Sequence, residues 1–184
     1  MTAVNQQTQQ QLPTGTWAID KIHSSAGFAV KHMVVATFRG RFEDFDAQLD
    51  VAEDGTARLV GSVDPRTIVV KDENLAGHLQ SPDFFDTERY PEIRFEADSV
   101  RIEDGEALVE GALTIKGNTE RVTGSGRLTG PAEDPYGNLK LGLQLETVVD
   151  RTKFGLNWNA PLPKGGFMLA NDVTLTVDLE LAQG

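Results

Sequence analysis

The chain is expected to fold as an all-β antiparallel barrel, and three features of the sequence lead there. Apolar and polar residues alternate over long runs. Ala107, Val109, Gly111, Leu113 and Ile115 stand against Glu110, Thr114 and Lys116, and the same pattern recurs over Leu139–Val149 and Val173–Leu181. A period of two marks a strand with one buried and one wet face. Asp54-Gly55 and Asp104-Gly105 are hairpin turn pairs between such runs. Several rows exceed the usual five or six residues of a strand. That favours a barrel over a sandwich, and closure also removes exposed edges. The alternation alone does not fix the number of strands.

In chain order, residues 1–14 are Gln-rich and polar and read as a disordered tail, leaving one domain over 15–184. Trp17 and Ile19 share one face of the first strand. Phe28, Val30 and His32 share one face of the second. Parity then breaks: Phe38, Gly40 and Phe42 are even, whereas Phe45, Ala47, Leu49 and Val51 are odd. One buried face needs one parity, so a bend or bulge is expected near Glu43-Asp44. Asp64-Pro65 marks an edge or kink before Thr67–Val70.

Lys71–Leu79 breaks the strand pattern. Leu75, His78 and Leu79 fall at helical spacing, which predicts a short helix. Ser81-Pro82 next to it reads as the cap and first residue of a second very short helix carrying Phe84 and Phe85. Adjacent aromatics cannot share one helix stripe, so one is expected on the sheet and the other elsewhere, either as a plug or at a pocket mouth. Tyr90-Pro91 forces extended chain into the strand that holds Ile93 and Phe95. Gly117-Asn118 is read as a turn, Pro131–Gly137 as a loop, and Phe154–Gly166, which contains Trp158, as a Gly/Pro/Asn-rich connection.

Composition narrows the function. A net charge of −11 opposes nucleic-acid binding and electrostatic docking on anionic lipid. No run approaches the roughly 18 apolar residues of a membrane span. The first residues lack the basic start and apolar core of a secretory signal, which points to the cytoplasm. There is no cysteine, in keeping with a reducing compartment or with no need for disulfides. His23, His32 and His78 show no ligand spacing, so no metal site is expected. No nucleophile elbow or Walker loop is present, and Gly124-Ser-Gly126 lacks the helix a phosphate cradle needs. No catalytic constellation and no cofactor is expected. Gly61, Gly111, Gly124 and Gly126 all fall in the apolar parity. There they either leave volume unfilled or bend the strands.

Five blocks carry a resemblance. They are Trp17–Asp20 with Ile22-His23-Ser24; Phe28, Val30 and His32 with Gly40, Phe42 and Phe45; His78-Leu79, Ser81, Asp83–Asp86, Tyr90-Pro91 and Phe95; Gly111, Leu113–Ile115, Gly117 and Thr119; and Arg151–Gly155 with Asn157-Trp158. Over about Gly15 to Glu180 the sequence resembles the YceI-like, polyisoprenoid-binding family. Two positions depart from the family pattern: Lys116 stands where a His is common, and Leu75-Ala76 where an Arg-Asp pair is frequent.

The resemblance implies an eight-stranded, lipocalin-like antiparallel barrel with a short helical insert near residues 72–88. It further implies a non-enzymatic protein that carries or sequesters a long isoprenoid chain, of polyprenyl phosphate or quinone type, and a homodimer is compatible with it. The wall candidates are Phe28, Val30, Phe38, Phe42, Leu79, Phe84, Phe85, Ile93, Phe95, Val109, Leu113, Ile115, Phe154 and Trp158, with His32, Asn74 and His78 as polar contacts at an end. The alternatives are an enzyme acting on an apolar substrate in the same cavity, and an interaction module whose barrel is filled.

Overall fold

The computed structural model describes residues 11–184. Its strands are β1 (Gly15–Ile19), β2 (Ser25–His32), β3 (Ala36–Phe42), β4 (Phe45–Val51), β5 (Ala57–Val63), β6 (Ile68–Val69), β7 (Ile93–Glu103), β8 (Glu106–Ile115), β9 (Asn118–Glu133), β10 (Leu139–Asp150) and β11 (Leu169–Gln183), with one helix, α1 (Glu73–Gln80). These eleven strands form eight staves of a closed antiparallel barrel.

Three staves are broken in two. β1 and β2 both pair with β11, the first through Ile19↔Leu181 and the second through Ser25↔Asp178. Between them, Asp20 caps a 3-10 turn by accepting the Ile22 amide. β3 pairs with β2 and β6, whereas β4 pairs with β1 and β5. The break between them falls at Glu43-Asp44, where the sequence parity switches. β5 and β6 are separated by the 3-10 turn Pro65–Thr67, capped by Asp64. From β7 onward each stave is one strand: β7 pairs with β5, β7 to β11 pair in sequence order, and β1–β11 closes the ring.

The two ends differ. At the closed end Trp17, Leu49, Val109, Leu141, Leu143 and Leu181 lose essentially all exposure and form one core cluster. The chain before β1 is tied to this end. Leu12 packs on that cluster, the Trp17 indole N–H donates to the Pro13 carbonyl (3.1 Å), and Gln183 Nε2 donates to the Thr14 carbonyl (2.8 Å). The first ten residues of the expected tail lie outside the described residues. At the other end the sheet parts. The β9–β10 ladder stops at Ser125↔Glu146, and β6 pairs only with β3. α1, the 81–92 segment and the 151–168 connection cover this insert end, over a second cluster that includes Phe42, Leu79, Phe84, Leu113, Ile115 and Phe154.

Three local expectations are corrected. Ser81 does not start a helix. It ends α1: its amide donates to the His78 carbonyl, its hydroxyl donates to the same oxygen (2.7 Å), and Phe84 and Asp86 amides return to the Ser81 carbonyl as turns. A run of two to four residues is too short to repay helix nucleation when these turns satisfy the same groups. The β8–β9 turn is Lys116-Gly117, with both residues left-handed (φ 49° and 74°), and Asn118 already pairs with Ile115. That is the primed two-residue hairpin. β9 runs on through Pro131 to Glu133, with a register shift opposite Lys140–Gly142 that absorbs the proline.

Candidate functional site: an apolar cavity at the insert end

At the insert end the barrel encloses a cavity of about 690 Å³. This lies within the range of pockets that take one small ligand. The in-row glycines divide in their roles. A Cβ on Gly111 would strike the Glu96 carbonyl, and one on Gly126 the Gln144 carbonyl, so both permit close strand approach. Gly61 and Gly124 have ordinary clearance and lie in the cavity wall, where the absent side chains leave room.

Aromatics shape the wall. Phe28 meets Phe38 and Phe42 with ring centroids 6.0 and 5.9 Å apart, and Phe42 meets Phe85 edge-on at 6.0 Å. Gly40, opposite Phe28 in the ladder, leaves space that a Cβ would deny the Phe28 ring. On the far side Phe84 packs on Trp158 (5.5 Å), and the imidazole of His78 stands edge-on to both, at 5.1 and 4.9 Å. The adjacent aromatics Phe84 and Phe85 thus diverge to different parts of one wall. His78 Nε2 lies 2.9 Å from Asp83 Oδ2, which fixes the ring.

Of the residues selected from sequence, Phe28, Val30, His32, Phe38, Phe42, His78, Leu79, Phe84, Phe85, Ile93, Phe95, Val109, Leu113, Ile115, Phe154 and Trp158 all line the cavity. Asn74 does not: it is exposed on α1, and its neighbour Leu75 reaches the wall instead. Wall residues not selected include Val149, Val173 and Leu175. They share the inward parity of β10 and β11, so the signal used for β8 applies to them as well. Arg151 also lines the cavity, and no periodicity announces it.

Two basic residues hold the covering segments. Lys116 Nζ donates to the Pro82 carbonyl (2.6 Å) and the Gly155 carbonyl (3.3 Å). Arg151 donates to the carbonyls of Leu156, Trp158 and Ala170. Asn118 Nδ2 donates to the Phe154 carbonyl (2.9 Å), so Phe154 is held across the parted β9–β10 seam.

Away from the cavity, the fold brings Glu180 up to Asp20 and His23, which lie three residues apart: the three groups place one ligand atom each within 4.8 Å of one another. Lys140 Nζ sits among them, 3.1 Å from Glu180 and 3.5 Å from Asp20, and supplies the positive charge there. The His23 hydrogen bond holds the Asp20 carboxyl down at about 2, and Asp20 in turn raises His23. The Asp20–His23 pair is local, whereas Glu180 and Lys140 reach it only through the β1–β11 and β10–β11 pairings.

A closed antiparallel barrel with a roofed apolar chamber is lipocalin-like in architecture. The chain belongs to the YceI-like family: the model of the YceI-like domain matches residues 17–181. UPF0312 proteins of Staphylococcus aureus are similar to it, that of strain USA300 at 33% identity over 169 residues, covering 90% of this chain and 96% of the relative. Among solved structures, Burkholderia cenocepacia BcnA superposes with a TM-score of 0.74 at 20% identity, over 88% of this chain and 98% of that one. Campylobacter jejuni YceI protein superposes at 0.69 and 23% identity, over 90% and 96% of the two chains. A polyisoprenoid binding domain from Saccharophagus degradans, implicated in plant cell wall breakdown, superposes at 0.68 and 13% identity, over 91% and 98%. No helix among the described residues is long and apolar enough to cross a membrane.

Proposed function

We propose that this protein is a non-enzymatic binder that encloses one long isoprenoid chain in the insert-end cavity, to carry or sequester it. The observation that carries this reading is the cavity itself: about 690 Å³ walled by aromatic and aliphatic side chains, on a barrel whose closed end is filled by a buried apolar cluster. Each CH₂ moved from water to such a wall gains about 0.8 kcal/mol, so a chain of several isoprene units is held by burial alone. The polyisoprenoid-binding description of the Saccharophagus degradans domain supports the choice of chain.

Native mass spectrometry of the purified protein, followed by organic extraction, tests the proposal. A bound species that extracts as a polyprenyl compound is expected. Bare protein that polyprenyl compounds neither bind nor stabilise against heat would contradict it. Saturating ligand at 100-fold its Kd should stabilise by about 2.7 kcal/mol.

A further inference from the structure

Arg151 is the one cation among the buried described residues, with 6% of its surface exposed. It follows β10 and opens the 3-10 turn Arg151–Phe154. Its Nε donates to the Ala170 carbonyl at 2.9 Å, and its Nη1 to the carbonyls of Leu156 (2.5 Å) and Trp158 (2.9 Å). All three acceptors are neutral.

The adjacent Asp150 favours the guanidinium's charge through space but makes no ion pair with it. Asp150 Oδ1 accepts from the Thr152 amide (2.9 Å) and hydroxyl (2.6 Å), capping the turn instead. Nη2 has no acceptor among the described residues, yet it is not sealed from all space, and Arg151 belongs to the cavity wall. Burial pushes this guanidinium below the ordinary arginine range. A buried charge is costly unless an opposite charge meets it. An apolar chamber whose wall holds one cation without a directly paired carboxylate, and with Nη2 still to satisfy, is complementary to a ligand that is apolar along its length and anionic at one point.

We propose that Arg151 receives an oxyanion at the end of the bound chain, so that the ligand is an acid, an isoprenoid phosphate or carboxylate, rather than a neutral quinone or alcohol. This rests on the reading of the cavity as a chain-binding site.

The test compares ligands of one chain and different ends: farnesyl phosphate, farnesoic acid and farnesol, titrated into the parent and Arg151→Gln. In the parent an acid should bind about tenfold to a hundredfold tighter than farnesol. The tighter of the two acids identifies phosphate or carboxylate as the natural end. Arg151→Gln, with its own farnesol affinity as the baseline, should lose the preference for the acid. Because Arg151 also holds the 156–170 segment, the parent alone supplies a second readout, nitrogen-15 NMR of the arginine side chains. A guanidinium signal that is absent in Arg151→Lys should move with the acid and stay with farnesol. Equal affinity for acid and alcohol in the parent, or a preference unchanged in Arg151→Gln, or an unmoved guanidinium, overturns the assignment of Arg151 while leaving chain binding intact. If none of the three ligands binds, the chain-binding reading itself fails, and the assignment with it.

Discussion

Lys116 Nζ donates to the carbonyl of Pro82 at 2.6 Å and so ties the β8–β9 turn to the segment that carries Phe84 and Phe85. A second bond from the same ammonium to Gly155 joins the 154–155 turn to that segment. One cation therefore fastens two covering segments over the cavity.

Lys116→Met keeps the aliphatic stem and removes both bonds. Because the ammonium is only half-buried, a stability loss of about 1 kcal/mol is expected, with faster hydrogen exchange over 81–90 than in the parent. Urea denaturation and amide exchange measure both. An unchanged midpoint together with unchanged exchange would remove Lys116 from this role.

The glycines make a paired prediction. Gly111→Ala forces a Cβ against the Glu96 backbone and should cost about 1–3 kcal/mol. Gly124→Ala adds a methyl where the nearest atom is 3.8 Å away and should stay within about 0.5 kcal/mol of the parent. Denaturation midpoints of equal size for the two variants would contradict the division between close approach and cavity lining.

How legible each element was in the sequence follows from what fixes it. The Glu43-Asp44 break was readable because a one-residue change of parity would otherwise turn Phe45, Leu49 and Val51 to solvent. The row Val109–Ile115 was readable for the same reason. Asn74 and Leu75 show the limit: helical spacing located α1, but not which of two adjacent residues faces the cavity. Ser81-Pro82 carries a genuine helix-start signal, yet tertiary turns around Asp86 satisfy those backbone groups more cheaply. Arg151 stood in a block of the resemblance, but its burial was not readable, because a buried cation is defined by the carbonyls of Leu156, Trp158 and Ala170, and the folding of the 151–170 connection alone brings these to it. Glu180 joins the local Asp20–His23 pair in the same way, only through barrel closure.

That cluster sets a pH dependence. His23 is raised above its ordinary 6.5 by Asp20, so its favourable pairing is complete below that value and is lost as pH rises through the folded-state midpoint. Asp20 is depressed from 3.8 to about 2, so its pairing is present above 3.8 and is lost as pH falls toward 2. The pair is therefore strongest between those two limits. NMR titration of His23 should give a midpoint above 6.5 in the parent and a lower one in Asp20→Asn. The same midpoint in both would contradict the coupling.

On the proposed function, the Leu113 row borders open space reserved for an apolar chain. Leu113 is buried, belongs to the insert-end cluster, and lines the cavity. In Leu113→Trp the indole would occupy the volume assigned to the ligand. The most direct measurement is the affinity of a fluorescent polyprenyl analogue for Leu113→Trp against the parent, on protein whose denaturation midpoint is taken in parallel. The expected result is a midpoint close to that of the parent and an affinity reduced by about tenfold or more. A variant destabilised by about 1–3 kcal/mol or more, whose folded fraction binds the analogue as tightly as the parent, would mean that this row is packed solid and that the chain, if bound, lies elsewhere.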